Sequence, residues 1–329
     1  MIKRLIGKLI GQKPAKASNP LRISVDEHDI DIRHISPCAT RIISTLNQSG
    51  HEAYVVGGAV RDLLMGYTPK DFDVVTDATP EQVRRVFRNS RIIGRRFRLV
   101  HVYCGGDLVE VSTFRAPHET SNTQDPKGRV LRDNTFGSIN EDAIRRDFTV
   151  NALFYDMRTE EVLDFCGGYE DTRQSVLRII GAPAQRYRED PVRMLRAIRL
   201  SEKLNLTIDV KTKAPFKKLA GLLGDVPTAR LFDEFIKIIK SGSSASAVEK
   251  IVTYGFHAAL FKKLGKINEK SKEGEFLQLV FGKTDERINS GKSVSPAFLF
   301  AAVLWSDVKK KWSYVEGDSK YMGALVRSI

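Results

Sequence analysis

The tightest constraint on this chain is the stretch Val55-Val56-Gly57-Gly58-Ala59-Val60-Arg61-Asp62, followed by Lys70-Asp71-Phe72-Asp73-Val74-Val75-Thr76. It reads as a strand, a glycine turn, a short helix and a second strand carrying two carboxylates. Gly57 and Gly58 have no side chain to hold an anion away from the backbone, and the N–H groups opening the helix make a phosphate cradle. On a strand, Asp71 and Asp73 point to one face with Cα atoms roughly 6–7 Å apart. Such a pair suits hard cations, which take oxygen ligands and stand about 3.5–4 Å apart in phosphoryl-transfer sites. Paired glycines can equally mark only a tight turn, and Asp-x-Asp only a solvated strand edge. Their conjunction points to metal-dependent nucleotidyl transfer, because an ionised Asp73 among Phe72, Val74 and Val75 needs a partner.

The 329 residues are enough for two domains, and 42% hydrophobic with 28% charged residues fits a soluble globular protein. A net charge of +13 implies a polyanionic partner, nucleic acid first. No run of about 18 apolar residues predicts a transmembrane helix. Cys38, Cys104 and Cys166 suggest neither a disulfide framework nor a zinc cluster. They fit half-buried thiols in a reducing cytoplasm.

Residues 1–13 place Ile2, Leu5, Ile6, Leu9 and Ile10 at helical spacing between Lys3, Arg4 and Lys8. That pattern suits a basic amphipathic helix in peripheral contact with a membrane, a helix docked on the body, or a frayed tail. A linker reaches Pro20. Ser36-Pro37 opens a helix that Gly50 ends, and Thr79-Pro80-Glu81-Gln82 opens another. Strands over Leu99–Val102 and Leu108–Phe114 are joined through Gly105-Gly106. Val109, Val111 and Thr113 share one face and Glu110 stands on the other. If this strand lies beside Asp73, Glu110 is a third carboxylate; otherwise it is an exposed strand residue. His101 reads as a packed or hydrogen-bonded histidine. Residues 117–133 read as a mobile loop over the site.

Ser138-Ile139-Asn140-Glu141 forms a capping box for a helix that delivers Arg145-Arg146-Asp147 and runs on to Leu153. Guanidinium forks take phosphate oxygens and a carboxylate takes a ribose hydroxyl, although a surface ion-pair cluster would look the same. Asp190 reads as an N-cap with Pro191 at the first helical position, and Arg193, Arg196 and Arg199 recur every third residue. Asp190 and Arg193 offer acceptors and a donor fork fit to read a base edge, or an ordinary cap and ion pair. From Asp209 onward the patterning is helical and suits an RNA-holding scaffold.

Taken together, VGGAVRD, DFDVVT, RRDFTVNAL and REDPVRMLRAIR resemble the class II nucleotidyltransferases of the polymerase-β superfamily, from about Ser36 to about Asp307. That family comprises bacterial poly(A) polymerases and CCA-adding enzymes. The segment ending Leu99-Val100-His101-Val102 and the YREDPVRMLRAIRL motif look like the poly(A) side. The resemblance implies an α+β fold: a polymerase-β-like head with a small mixed sheet over 36–165, a helical neck over 166–240 and a shortened RNA-binding body over 241–329. It implies that Asp71 and Asp73 bind two Mg²⁺ ions, with Glu110 or Asp147 as the third carboxylate. Gly57, Gly58, Arg61 and Arg146 would serve the triphosphate of ATP. Asp190 and Arg193 would meet the base, with Arg196 and Arg199 nearby. The expected protein is a cytoplasmic monomer acting on RNA 3′ ends.

Overall fold

Ser36 accepts a hydrogen bond from the Cys38 N–H and Pro37 takes the first helical position, so helix α1 (Pro37–Gln48) begins where its capping chemistry directs. The computed structural model describes residues 19–94, 98–116 and 135–315, with side chains as far as residue 309. The amphipathic N-terminal segment and the loop expected over 117–133 lie outside the described residues. The chain divides into a unit ending at Glu189 and a unit beginning at Asp190.

The first unit is built on one eight-stranded mixed sheet in the order β1-β8-β7-β2-β3-β6-β5-β4. Its strands are β1 (Leu21–Ile23), β2 (Ala53–Val56), β3 (Asp73–Thr76), β4 (Ser90–Ile93), β5 (Leu99–Cys104), β6 (Asp107–Thr113), β7 (Leu153–Asp156) and β8 (Glu161–Asp164). Between these strands the pairing is antiparallel except at β3 and β6, which run parallel with Asp73 opposite Glu110. One face is a continuous apolar layer: Val55, Val74, Val100, Val102, Val109 and Val111 pack with Ile42, Ile43 and Leu46 of α1. α2 (Gly58–Leu64) and α3 (Pro80–Val86) add Val60, Leu63 and Val83 to that layer. The opposite face is apolar over β2, β7 and β8, where Tyr54, Val56, Phe154 and Leu163 meet Ala143 of α4 (Ile139–Arg145).

Two expectations change here, and one unforeseen strand appears. The helix expected to reach Leu153 stops short, and β7 opens at Leu153. That helix ends at Arg145, because Arg146 is extended and the Asp147 carboxylate takes the Phe148 N–H at 2.8 Å. β1 begins at Leu21, directly after the expected linker, and pairs with β8. Cys38 and Cys104 form a disulfide with Cα atoms 5.7 Å apart, which joins the first turn of α1 to the end of β5 across 66 residues of chain. Cys166 remains free, and burial pushes its thiol up to about 12.

The second unit is helical. Its longer helices are α5 (Val192–Lys203), α6 (Thr228–Ile239), α7 (Ser244–Thr253), α8 (Lys272–Asn289) and α9 (Pro296–Val315). Phe235, Val248, Leu277, Phe281, Leu299 and Val303 form its core. The first turn of α7 is capped from another helix, with Asp285 of α8 accepting from the Ser244 and Ala245 N–H groups at 2.7 and 2.9 Å. Among the described residues no helix is long and apolar enough to cross a membrane.

Candidate active site

Gly57 caps α2 at φ +76°, a left-handed conformation that favours glycine. Its N–H donates to the Leu153 carbonyl at 3.0 Å, which ties the turn to β7. A Cβ on Gly57 would stand 3.4 Å from Arg146 Nη1, so the turn and this guanidinium are neighbours. Gly58 lies against the Arg61 guanidinium, 3.5 Å from a built Cβ to Nη2.

Arg61, expected to face the triphosphate, is only 5% exposed and lies within the protein beneath the turn. It donates to Asp62 Oδ1 through Nε at 2.9 Å and Nη2 at 2.6 Å, and to the Asn151 side chain. Arg61 therefore braces the turn from below. Arg146 is held by Asp142, whose Oδ2 accepts from Nε at 3.0 Å and from Nη2 at 2.8 Å. Its guanidinium also lies 5.2 Å from the Phe154 ring centroid. Burial works against the Asp142 charge, yet Arg146 and Arg145 hold its carboxyl below the usual value. Asp147 accepts from the Phe148 N–H and, at 3.2 Å, from Asn151 Nδ2, which fixes the chain as it leaves α4. Asp142 and Asn151 are site residues that the sequence reading missed. An acid four residues before Arg146 on one helix was the available signal for the first.

The carboxylates stand beyond this brace. Asp73 opens β3, whereas Asp71 precedes the strand instead of lying on it, and both are exposed. The parallel register sets Glu110 beside Asp73, with neighbouring strands about 4.8 Å apart. His101 stands opposite Glu110 on β5 and approaches it to 3.4 Å between Nε2 and Oε1. No hydrogen-bond donor among the described residues reaches Asp73. Water touches this residue, but the crowding protein around it and the Glu110 charge push its carboxyl up to about 6. Arg146 opposes that rise and Asp71 adds to it.

Among the described residues no three His, Cys, Asp or Glu side chains already form a closed metal cage. The donor set instead suits an ion that keeps several waters and shares substrate phosphates, as Mg²⁺ does. Glu110 and Asp71 both push the Asp73 carboxyl up, and a cation beside it would offset that crowding of negative charge, so Asp71, Asp73 and Glu110 fit such an ion.

In the second unit, Asp190 lies outside α5 and does not cap it: its Oδ2 accepts from Arg230 at 3.0 Å. Its Oδ1 is buried without a hydrogen-bond partner. Arg193, Arg196 and Arg199 are half-buried along one stripe of α5. Arg199, expected near the base, pairs through Nε with the buried Glu234 at 2.5 Å and joins α5 to α6.

Residues 53–178 match the family described as "Poly A polymerase head domain", and residues 205–267 match "Probable RNA and SrmB- binding site of polymerase A". The chain is 47% identical over 289 residues to poly(A) polymerase I of Salmonella typhimurium, covering 85% of this chain and 62% of that protein. It is 42% identical over 305 residues to poly(A) polymerase I of Haemophilus influenzae, covering 90% of this chain and 68% of that protein. It thus spans about three fifths to two thirds of the length of these relatives. The CCA-adding enzyme of Bacillus stearothermophilus, solved with CTP, superposes with a TM-score of 0.63 at 28% identity, over 78% of this chain and 69% of that one. With its head match, its glycine turn and its carboxylates at the start of β3, the chain belongs to the poly(A) polymerase family.

Proposed function

We propose that this chain adds AMP from ATP to RNA 3′ ends without a template, as its family membership and site chemistry support. The observation that carries this reading is Asp73 set beside Glu110, with Asp71 adjacent, Arg146 against the glycine turn and no donor to Asp73 among the described residues. Asp71, Asp73 and Glu110 hold two Mg²⁺ ions on this reading. When bound, those ions lower the pKa of the terminal 3′-OH and neutralise charge on the departing pyrophosphate. The Gly57-Gly58 backbone and Arg146 receive the triphosphate, Arg61 keeps the turn in place, and Asp142 aims Arg146. Asp147 positions Asn151 and the backbone behind the site.

Within the second unit, the unpartnered Oδ1 of Asp190 and the fork of Arg193 are suited to a base edge, with Arg196 beside them. Basic side chains of that unit hold RNA phosphates, so binding weakens steeply with salt. We place the activity in the cytoplasm and in a single chain. Contact of residues 1–13 with a membrane surface remains an expectation of the sequence.

A second reading, tRNA completion with CTP and ATP, is favoured by the likeness to the CCA-adding enzyme. The test supplies each NTP with Mg²⁺ to a generic RNA and to a tRNA lacking CCA. Long tails from ATP alone support adenylation. Growth confined to two C and one A on the tRNA replaces it with the second reading. No incorporation from any NTP overturns both.

A further inference from the structure

The sheet face that carries Asp73 is dry over one half and open over the other. Under α4 it holds Tyr54, Val56, Phe154 and Leu163. Across β4, β5 and β6 it instead carries Arg91, His101 and Glu110, in register as one row that ends at Asp73. Two residues beyond His101 and Glu110, Tyr103 stands opposite Leu108. Directly opposed residues of an antiparallel pair share a face, and a step of two keeps to it. Tyr103 and Leu108 therefore lie on the face of the carboxylates, and they are 41% and 47% exposed. Arg91 is exposed, with no hydrogen-bond or ion-pair partner among the described residues.

An open aromatic shelf, an unpaired guanidinium and a carboxylate cluster two strands away, about 10 Å, match the scale and chemistry of one unpaired nucleotide. Direction selects which nucleotide. In-line displacement sets the attacking and leaving oxygens on opposite sides of phosphorus. The glycine turn follows β2, on one side of β3, and the Tyr103–Leu108 shelf lies across β6, on the other. The leaving phosphates belong to the turn, so the attacking end belongs to the shelf.

We propose that Tyr103, flanked by Leu108, is the platform on which the last base of an unpaired RNA 3′ end stacks, with Arg91 on the backbone phosphate behind it. This rests on the nucleotidyl-transfer reading above. Its test is a short oligoadenylate carrying 2-aminopurine as the 3′-terminal base, titrated with the full chain without NTP. Wild type and Tyr103→Phe quench the fluorescence on stacking. Tyr103→Ala loses the quench and raises the RNA Kd and KM by about 5- to 100-fold, with the ATP KM and melting temperature unchanged. Arg91→Ala lowers the slope of log affinity against log salt by about one. Full quenching by Tyr103→Ala, or equal wild-type quenching with the probe at the 5′ end, overturns the proposal, as does failure of wild type to bind at low salt. Quenching that depends on Tyr103 in a chain that incorporates no NTP upholds the platform and overturns the catalytic reading.

Discussion

Asp142 and Asp73 stand on either side of Arg146, and their environments push them in opposite directions. Asp142 is 2% exposed but stays charged because two arginines embrace it. Asp73 is open to water on one side, yet its carboxyl is pushed up to about 6, first because protein crowds it and then because the Glu110 charge stands beside it. Burial acts on both carboxylates most strongly, and the difference is that two arginines outweigh it at Asp142 whereas Glu110 and Asp71 add to it at Asp73. Elsewhere in the head the ion pairs are complete, as with Arg61 and Asp62, Arg158 and Asp156, and Arg178 and Asp171. The carboxylate cluster is the part left incomplete, which is how a site for a cation differs from a buttress.

The contrast breaks most severely at Asp73. Asp73→Ala lowers nucleotide incorporation by ~10³-fold or more with the fold intact by circular dichroism. Near-wild-type turnover in that variant refutes the site.

Removing the other carboxylate produces a different loss. Asp142→Ala leaves Arg145 and Arg146 half-buried without their acceptor and costs about 3 kcal/mol of stability in urea unfolding. A stability unchanged from wild type means that the brace is ornamental.

Gly57→Ala sets a side chain at φ +76° within 3.4 Å of Arg146. It costs about 1–2 kcal/mol and raises the KM for ATP, measured by calorimetry and initial rates.

The smallest effect sharpens the comparison most. The native state holds the Asp73 proton up to about 6, against an ordinary carboxylate near 3.8. Between these values the folded chain binds more protons than the unfolded chain. Asp73 therefore makes stability fall as pH rises through that window, and the loss is complete above it. Asp73→Asn removes the loss and stabilises the metal-free protein at pH 7, by on the order of 1 kcal/mol once solvent screening is discounted. Mg²⁺ raises the melting temperature of wild type but not of this variant. The opposite ranking of the two proteins in EDTA would show that Asp73 is paired after all.

What the sequence made legible was local. The caps at Ser36, Thr79 and Ser138, the turn at Gly57 and the alternation in β6 are each written within a few residues, and all formed as expected. The Glu110–Asp73 adjacency was conditional on one strand pairing, and that pairing occurs. The misses are non-local. The helix expected to run on to Leu153 stops at Arg145, and Leu153 opens β7 because β2 and β8 flank that strand. Asp190 carries a good capping signal before Pro191, yet Arg230 takes its carboxylate. The Cys38–Cys104 bridge depends on the start of α1 meeting the end of β5, which no spacing rule encodes.

The parallel pairing of β3 with β6 has a kinetic consequence. Asp73 and Glu110 sit on strands separated in the chain by a helix and two further strands. Their mutual repulsion cannot arise while the hairpin of β5 and β6 is forming, because that step uses contacts close in sequence. It arises only when β6 pairs along β3. A contact between like charges thus belongs to a long-range pairing, and Val74 and Val111, opposed in the same register, set buried apolar surface against it.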